Sequence, residues 1–350
     1  MLKFPGLIDP HVHLRYMDPH KEDFLTSTNA ALSGGFTMVL DMPNNNPPIT
    51  TFPRLQAKID QAAHYTRYDI GFIFGSLGDN LDEFEKVKDM VYALKLYLNM
   101  TTGGYIIDEK KMLLIYKRWY EVMQGKKPIM LHAEEDVMDS VVRVITETQQ
   151  PTHICHVSSE EELSEIIEIK KSGLPITCGV TPHHLFLTDE DAKKLGPYGI
   201  VKPRLKPKSD QDFLWANMQY IDVIESDHAP HTKEEKESEI PPAGLPGLET
   251  TLPLLLTAMN QGRITKEEII DKCYTQPKRI FHLPTQEDTH IEVDENETWT
   301  IENGKLYTKC NWSPFNGWKV TGKVKRVFLR GKKVFEDGKI LAESGFGKIV

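Results

Sequence analysis

At 350 residues the chain is long enough for one large barrel with an appendage, and its core needs no disulfide staples. Its 42 basic and 51 acidic side chains leave a net charge of -9 without a basic run, which gives no footprint for nucleic acid. No apolar stretch has the length of a membrane span, residues 1–5 lack the apolar core of a signal peptide, and four dispersed cysteines with no CxxC pair read as reduced thiols of a cytosolic protein.

Apolar runs alternate with amphipathic segments through the first 230 residues. Buried strands are expected near 6–13, 36–42, 68–74, 91–98, 128–132, 152–157, 175–180 and 220–226. Helical patterns fall between them, at 21–33, 53–64, 109–123, 134–148, 158–172 and 209–218. Short all-apolar strands separated by helices mark parallel β/α units, because crossover helices cover both faces of the sheet. Eight such strands predict an α/β fold of the (β/α)8 TIM-barrel type in preference to an open doubly wound sheet. No Gly-rich fingerprint follows the first strand, so a dinucleotide site loses its main support.

Segment 247–281 reads as helices outside the barrel, with Leu252, Leu255, Leu256 and Met259 as an apolar stripe. Beyond about residue 285 the pattern changes to short alternating strands, and Val324–Phe335 reads as a hairpin turning near Gly331. The expected organisation is a barrel with extra helices over 1–284 and a small β appendage over 285–350, formed mainly by the C-terminal segment. The first strand begins almost at Met1. The expectation is an excised or fused domain, or a minimal version whose appendage comes from the tail alone.

Chemistry in such barrels sits at the C-terminal ends of the strands. There the sequence places His11, His13 and Arg15, then Asp41 to Asn44, Lys95, His132, His156, and Ser226-Asp227-His228-Ala229-Pro230-His231. Residues i and i+2 of a strand share a face, so His11 and His13 converge on one point, which suits a metal ion. The plainer reading of an isolated pair is two satisfied polar residues at a strand end. Metal-type residues ending several successive strands are hard to assign to packing.

Lys95 lies inside an apolar strand, where an ammonium is costly unless paired or neutral. One reading buries the stem and sends the ammonium to solvent or a carboxylate. In the other, the neutral amine takes up carbon dioxide as a carbamate, which turns a cation into a bridging carboxylate. That would complete two sites, His11, His13 and Asp227 on one metal, His132 and His156 on the other. Asp227 either caps the following turn or binds the ion and exchanges a proton with activated water, whose pKa a metal lowers to about 7.

These motifs resemble the amidohydrolase superfamily and, within it, the dihydroorotases. The matching stretches are Pro5-Gly6-Leu7-Ile8-Asp9-x-His11-Val12-His13-Leu14-Arg15, Met42-Pro43-Asn44, Leu94-Lys95-Leu96-Tyr97, His132-Ala133-Glu134, Ile154-Cys155-His156-Val157, Pro182-His183-His184-Leu185 and Ser226 to His231. Pro246-Gly247-Leu248-Glu249-Thr250, His282-Leu283-Pro284 and Gln286-Glu287-Asp288-Thr289 are similar to the dihydroorotase domain of the multifunctional animal pyrimidine-synthesis protein. The resemblance covers nearly the whole chain. It implies reversible cyclisation of N-carbamoyl-L-aspartate to L-dihydroorotate with loss of water. It also implies two Zn2+ per chain, bridged by N6-carboxylysine at Lys95 and a hydroxide, with Asp227 as base and then acid. A homodimer, and fusion to other pyrimidine-pathway domains, are further implications.

Arg15 offers a forked donor for the substrate carboxylate, its plainer reading being a surface ion pair. Asn44 and His231 match substrate-binding positions of the family, and Ala243 and Gly244 match positions where backbone touches the pyrimidine ring. Thr101 and Thr102, in the Gly-rich loop after the fourth strand, stand where the family carries a lid, although such loops are common without one. Lys202 replaces an arginine of the animal domain, so a contact there loses bidentate geometry. Gly179 replaces a glutamate, which puts in doubt any third metal needing it, and Cys155 alone reads as a buried thiol. His183 and His184 read as structural, as do His20, His64, His153, His282 and His290. Two rivals stand: a cyclic amidohydrolase acting on dihydropyrimidines, hydantoins or allantoin, and a non-catalytic scaffold domain.

Overall fold

The computed structural model describes residues 1–100 and 106–350. Its first strand, β1 (Leu2–Pro5), belongs to a side sheet. Eight parallel strands then follow in sequence order: β2 (Leu7–Val12), β3 (Phe36–Asp41), β4 (Asp69–Gly75), β5 (Ala93–Tyr97), β6 (Ile129–His132), β7 (Thr152–Ile154), β8 (Ile176–Val180) and β9 (Val223–Ile224). β2 and β9 meet through the parallel bridge Val12–His228, where the His13 N–H donates to the His228 carbonyl at 2.8 Å. The Asp9 carboxylate accepts the Ser226 N–H at 3.2 Å along the same seam. This is the eight-stranded barrel expected from the sequence.

Helices Phe24–Ser33, Phe52–Tyr65, Glu109–Met123, Met138–Thr148, Glu160–Lys171 and Lys208–Ala216 cover the outside. Their starts follow local sequence chemistry. Asp23 and Thr26, and likewise Ser159 and Glu162, form reciprocal capping boxes that satisfy otherwise unpaired helical N–H groups. Alternate strand residues split between two cores. Leu94, Leu96, Leu131 and Ile154 join the outer core, beneath the helices. Ile8, Met38, Leu40, Ile73, Ala93, Met130 and Val223 fill the barrel, which Ile280, Phe281 and Leu283 plug below. Each buried Val, Leu, Ile, Phe or Met side chain contributes roughly 1.5–3 kcal/mol relative to exposure.

β2 departs from strict alternation. Between the pairs Asp9–Val39 and Val12–Asp41 it advances three residues while β3 advances two. The extra residue is a bulge around Pro10, which has no N–H to give a ladder. It changes the facing of everything after it. Ile8 packs in the barrel interior, Val12 and Leu14 pack in the outer core, and His11 and His13 line the cavity inside.

The side sheet is antiparallel, in the order β1, β10 (His290–Thr300), β11 (Lys319–Leu329), β12 (Lys332–Glu336) and β13 (Lys339–Ile340). Four of its strands come from the C-terminal segment. The fifth is a correction to an appendage made from the tail alone: Leu2–Pro5 pair with His290–Val293. Only Gly6 separates β1 from the first barrel strand, so no break in the pattern marks the change of sheet. The expected hairpin turns at Arg330-Gly331, both with positive φ (52° and 74°), the backbone that a tight two-residue turn requires. Leu252, Leu255 and Leu256 of helix Thr251–Asn260 join one continuous core with Ile291, Val293 and Val324 of this sheet. Among the described residues no helix is long and apolar enough to cross a membrane.

Candidate metal centre and active site

The C-terminal ends of the barrel strands deliver imidazole and carboxylate groups to one place. His13 Nε2 lies 3.0 Å from Asp227 Oδ1, and His11 Nε2 lies 3.4 Å from the same oxygen. Ligand atoms of these three residues all fall within 4.8 Å of one another. His132 Nδ1 and His156 Nε2 stand 3.0 Å apart, and the rings of His11 and His156 are 5.3 Å apart between centroids. The structure thus brings together the five expected histidine and aspartate ligands.

Local backbone makes this possible. Alternation would put Cys155 and His156 on opposite faces, and Cys155 joins the barrel interior. His156 adopts a left-handed φ of 42°, which turns its ring into the cavity as well. Asp227 (45°) and Arg15 (57°) share that conformation. Each costs of order 1–2 kcal/mol for a residue with a side chain, and such outliers persist where surrounding contacts fix them. At His156 the fixing contact is its N–H, donated to Glu225 Oε1 at 2.6 Å.

Lys95 is buried, with its Nζ 3.0 Å from Cys155 Sγ and 5.3 Å from the Tyr97 ring centre. No carboxylate neutralises it among the described residues. The alternative in which its ammonium reaches solvent or an acid does not match this environment. Its positive charge works against protonation of His11, His132 and His156.

The titration pattern follows from burial and from the carboxylates. Burial, opposed by the Asp227 contact, lowers His13 to about 4. Burial and the charge of His132 hold His156 well below the usual histidine range. Burial and Lys95 also depress His11, but Cys155, Asp227 and Glu225 outweigh them and raise it to about 10. Burial opposes ionisation of Asp227, yet the charge of His11 and the hydrogen bond from His13 keep it well below the usual carboxylate range.

Whether a metal fits can be judged from the donors themselves. His156 Nδ1 is buried without a hydrogen-bond partner, and the Nε2 atoms of His11 and His13 converge on one oxygen of Asp227. Imidazole and carboxylate groups converge at depth, and a nitrogen and oxygen donor set of this kind suits zinc and similar divalent ions. The residues fit.

Above these groups lies a cavity of about 460 Å³. Arg15, Asn44, Lys202, His231, Ala243 and Gly244 all line it. Asn44 Oδ1 sits 2.5 Å from His13 Nδ1, so the two ring nitrogens are held by Asn44 on one side and Asp227 on the other. Arg15 Nε donates to the Pro230 carbonyl at 3.0 Å, and its Nη2 lies 3.1 Å from His231 Nε2. Burial, with Arg15, Lys21 and Lys236 nearby, lowers His231 to about 2, so its ring is neutral. The Gly244 N–H is already given to the Ile200 carbonyl at 3.1 Å. Lys202 Nζ donates to the Met100 carbonyl at 2.5 Å. Thr101 and Thr102 lie outside the described residues. His183 and His184 are buried, and His184 is held by Thr181 Oγ1 at 2.8 Å and the Pro203 carbonyl at 3.2 Å.

Sequence reasoning missed Glu225. It lies two residues before Asp227, wholly buried, and it was findable by the argument applied to Lys95: a charge inside the apolar run Val223-Ile224-Glu225. Tyr97, Asp18 and Lys21 also line the cavity. Nothing in their spacing singles them out.

A model of the amidohydrolase family matches residues 2–231, and the chain belongs to that family. Its architecture agrees: the L-hydantoinase (dihydropyrimidinase) from Arthrobacter aurescens superposes with a TM-score of 0.94 at 25% identity, over 99% of this chain and 88% of that one. Within the family the chain falls among the dihydroorotases. The dihydroorotase of Pyrococcus horikoshii is 37% identical over 99% of this chain and 84% of its own length. The multifunctional protein CAD of Squalus acanthias is 42% identical over 100% of this chain, which spans 16% of that protein.

Proposed function

We propose that the chain is a dihydroorotase, converting N-carbamoyl-L-aspartate to L-dihydroorotate and water, reversibly, in de novo pyrimidine (UMP) synthesis. The observation that carries this reading is Arg15. Its guanidinium stands with Asn44 and His231 in the cavity wall, beside a buried histidine and aspartate cluster. A forked cation next to a hydrolytic centre suits a cyclic amide that bears a carboxylate. Full-length similarity to dihydroorotases supports the same substrate.

His11, His13 and Asp227 would hold one zinc, His132 and His156 a second, and Lys95 as N6-carboxylysine would bridge them. When bound, such ions bring the pKa of water to about 7 and polarise a carbonyl. The protein's own part is positioning and proton transfer. Asn44 orients His13, and Arg15 clamps the substrate carboxylate. In ring opening, Asp227 takes the proton from the attacking water and passes it to the departing ring nitrogen; ring closure reverses these steps. The charge of His11 and the contact with His13 keep Asp227 ionised. The reading includes a cytoplasmic homodimer, fused in some settings to other pyrimidine-pathway domains.

An absorbance assay of dihydroorotate opening and closing, with and without a chelator, tests it. Chelator-sensitive turnover in both directions is expected. Turnover of dihydrouracil equal to or better than that of dihydroorotate would overturn the substrate assignment in favour of a dihydropyrimidinase.

A further inference from the structure

Among the described residues, Glu225 is a fully buried carboxylate at the centre that the mechanism above does not use. Its Oε1 accepts the His156 N–H at 2.6 Å. Its Oε2 faces His11 Nδ1 at 3.4 Å and His153 Nε2 at 3.7 Å. One side chain thus reaches a histidine on β2, the backbone of the histidine after β7, and the barrel floor. His11 lies between two acids, with Nδ1 toward Glu225 and Nε2 toward Asp227. A carboxylate on one ring nitrogen fixes the tautomer and leaves the other nitrogen to a metal, and it makes that nitrogen more basic.

The space Glu225 occupies belongs to another position. A Cβ placed on Gly179 of β8 would lie 2.6 Å from Glu225 Oε1 and 2.7 Å from its carboxyl carbon. Contacts under 3 Å to a fully buried carboxylate cannot be relieved without moving it. Any side chain at 179 therefore excludes Glu225 from its present seat. Gly179 is also where the resembling animal domain carries glutamate.

We propose that Glu225 is the positioning carboxylate of the metal centre, delivered from the end of β9 into the space that glycine leaves open in β8. It acts through His11 and His156 and does not touch substrate. Positions 179 and 225 form an exclusive pair, in which either strand can supply the acid but not both. The proposal rests on the metal reading of the site given above.

The test compares wild type with Glu225→Gln, Glu225→Ala, Gly179→Glu and the double variant Gly179→Glu/Glu225→Ala. Zn2+ affinity is read by competition with a chromogenic chelator, alongside kcat, KM and thermal melting. Loss of such a supporting carboxylate lowers metal affinity or activity by about 10–100-fold. Glu225→Ala should show that loss in Zn2+ affinity and kcat with KM little changed. Gly179→Glu alone should lose as much, and the double variant should recover most of it. Glu225→Gln keeps the acceptor for His156 but not the charge facing His11, and should fall between; it serves as the readout should the alanine variant fail to fold. Unchanged Zn2+ affinity in Glu225→Gln and Glu225→Ala, or a double variant as weak as the singles, overturns the proposal. A wild-type chain without Zn2+ affinity would overturn the metal centre itself, and this inference with it.

Discussion

Replacing Arg15 with methionine keeps a stem of similar length and removes the guanidinium. The structure sets the size of the effect. Arginine has five N–H donors. Nε is committed to Pro230 and one Nη2 hydrogen to His231, which leaves three for a ligand. A carboxylate takes two as a fork, and hydrogen bonds to charged groups contribute about 1.5–3 kcal/mol each. Even at the lower figure their sum is about 3 kcal/mol, roughly a hundredfold in kcat/KM. Arg15→Met should show that loss in the dihydroorotate absorbance assay, mostly as raised KM. The methyl ester of dihydroorotate has no carboxylate charge, so its kcat/KM should change far less. A variant that keeps wild-type kcat/KM on dihydroorotate refutes the role of Arg15. So does one that loses equally on acid and ester, because Arg15 would then act through the loop it anchors.

Asp227→Asn removes the proton carrier and should lower kcat about 10²–10⁴-fold; near-normal rates in stopped assays would refute the shuttle. Lys95→Met should purify without the carbamate mass increment and with its metal content sharply reduced, whereas bicarbonate should speed metal loading of wild type; metal retention by the variant counts against the bridge. Glu249 gives a pH signature independent of catalysis. Burial, only partly offset by hydrogen bonds from Tyr307 and Thr308, raises its carboxyl from 4.5 to about 7. Between those pH values the folded state binds a proton that the unfolded state has released. Its contribution is therefore fully present below about 4.5 and is lost as pH rises through about 7. Urea unfolding of wild type and Glu249→Gln should show the wild type losing stability relative to the variant across that window, by at most about 1.4 kcal/mol per pH unit. Parallel curves would refute the assignment.

The barrel was legible because its strands are continuous apolar runs, and all eight fall within a few residues of their expected places. Their ligands were legible because chemistry collects at one end of such strands. What escaped was geometry without composition. Pro10 marks a bulge, but a lone proline does not announce how many residues the neighbouring strand advances. His156 follows an inward-facing cysteine, so only its left-handed backbone, invisible in the residue types, brings it inside. Glu225 carried a usable signal that was eclipsed by Asp227 beside it. β1 is four residues long and lies one residue from the barrel strand after it, so the two read as one run although they pair in different sheets.

The bulge in β2 has a meaning for how such a centre can be lost. Removing one residue between Asp9 and His11 would leave every ligand in the sequence and every strand in the barrel. It would also rotate the histidine pair into the layer now occupied by Val12 and Leu14. A chain altered in this way would fold into the same shape, would still display the full ligand roster to anyone scanning its residues, and would be chemically silent. Competence at this site is a matter of phase as much as of parts.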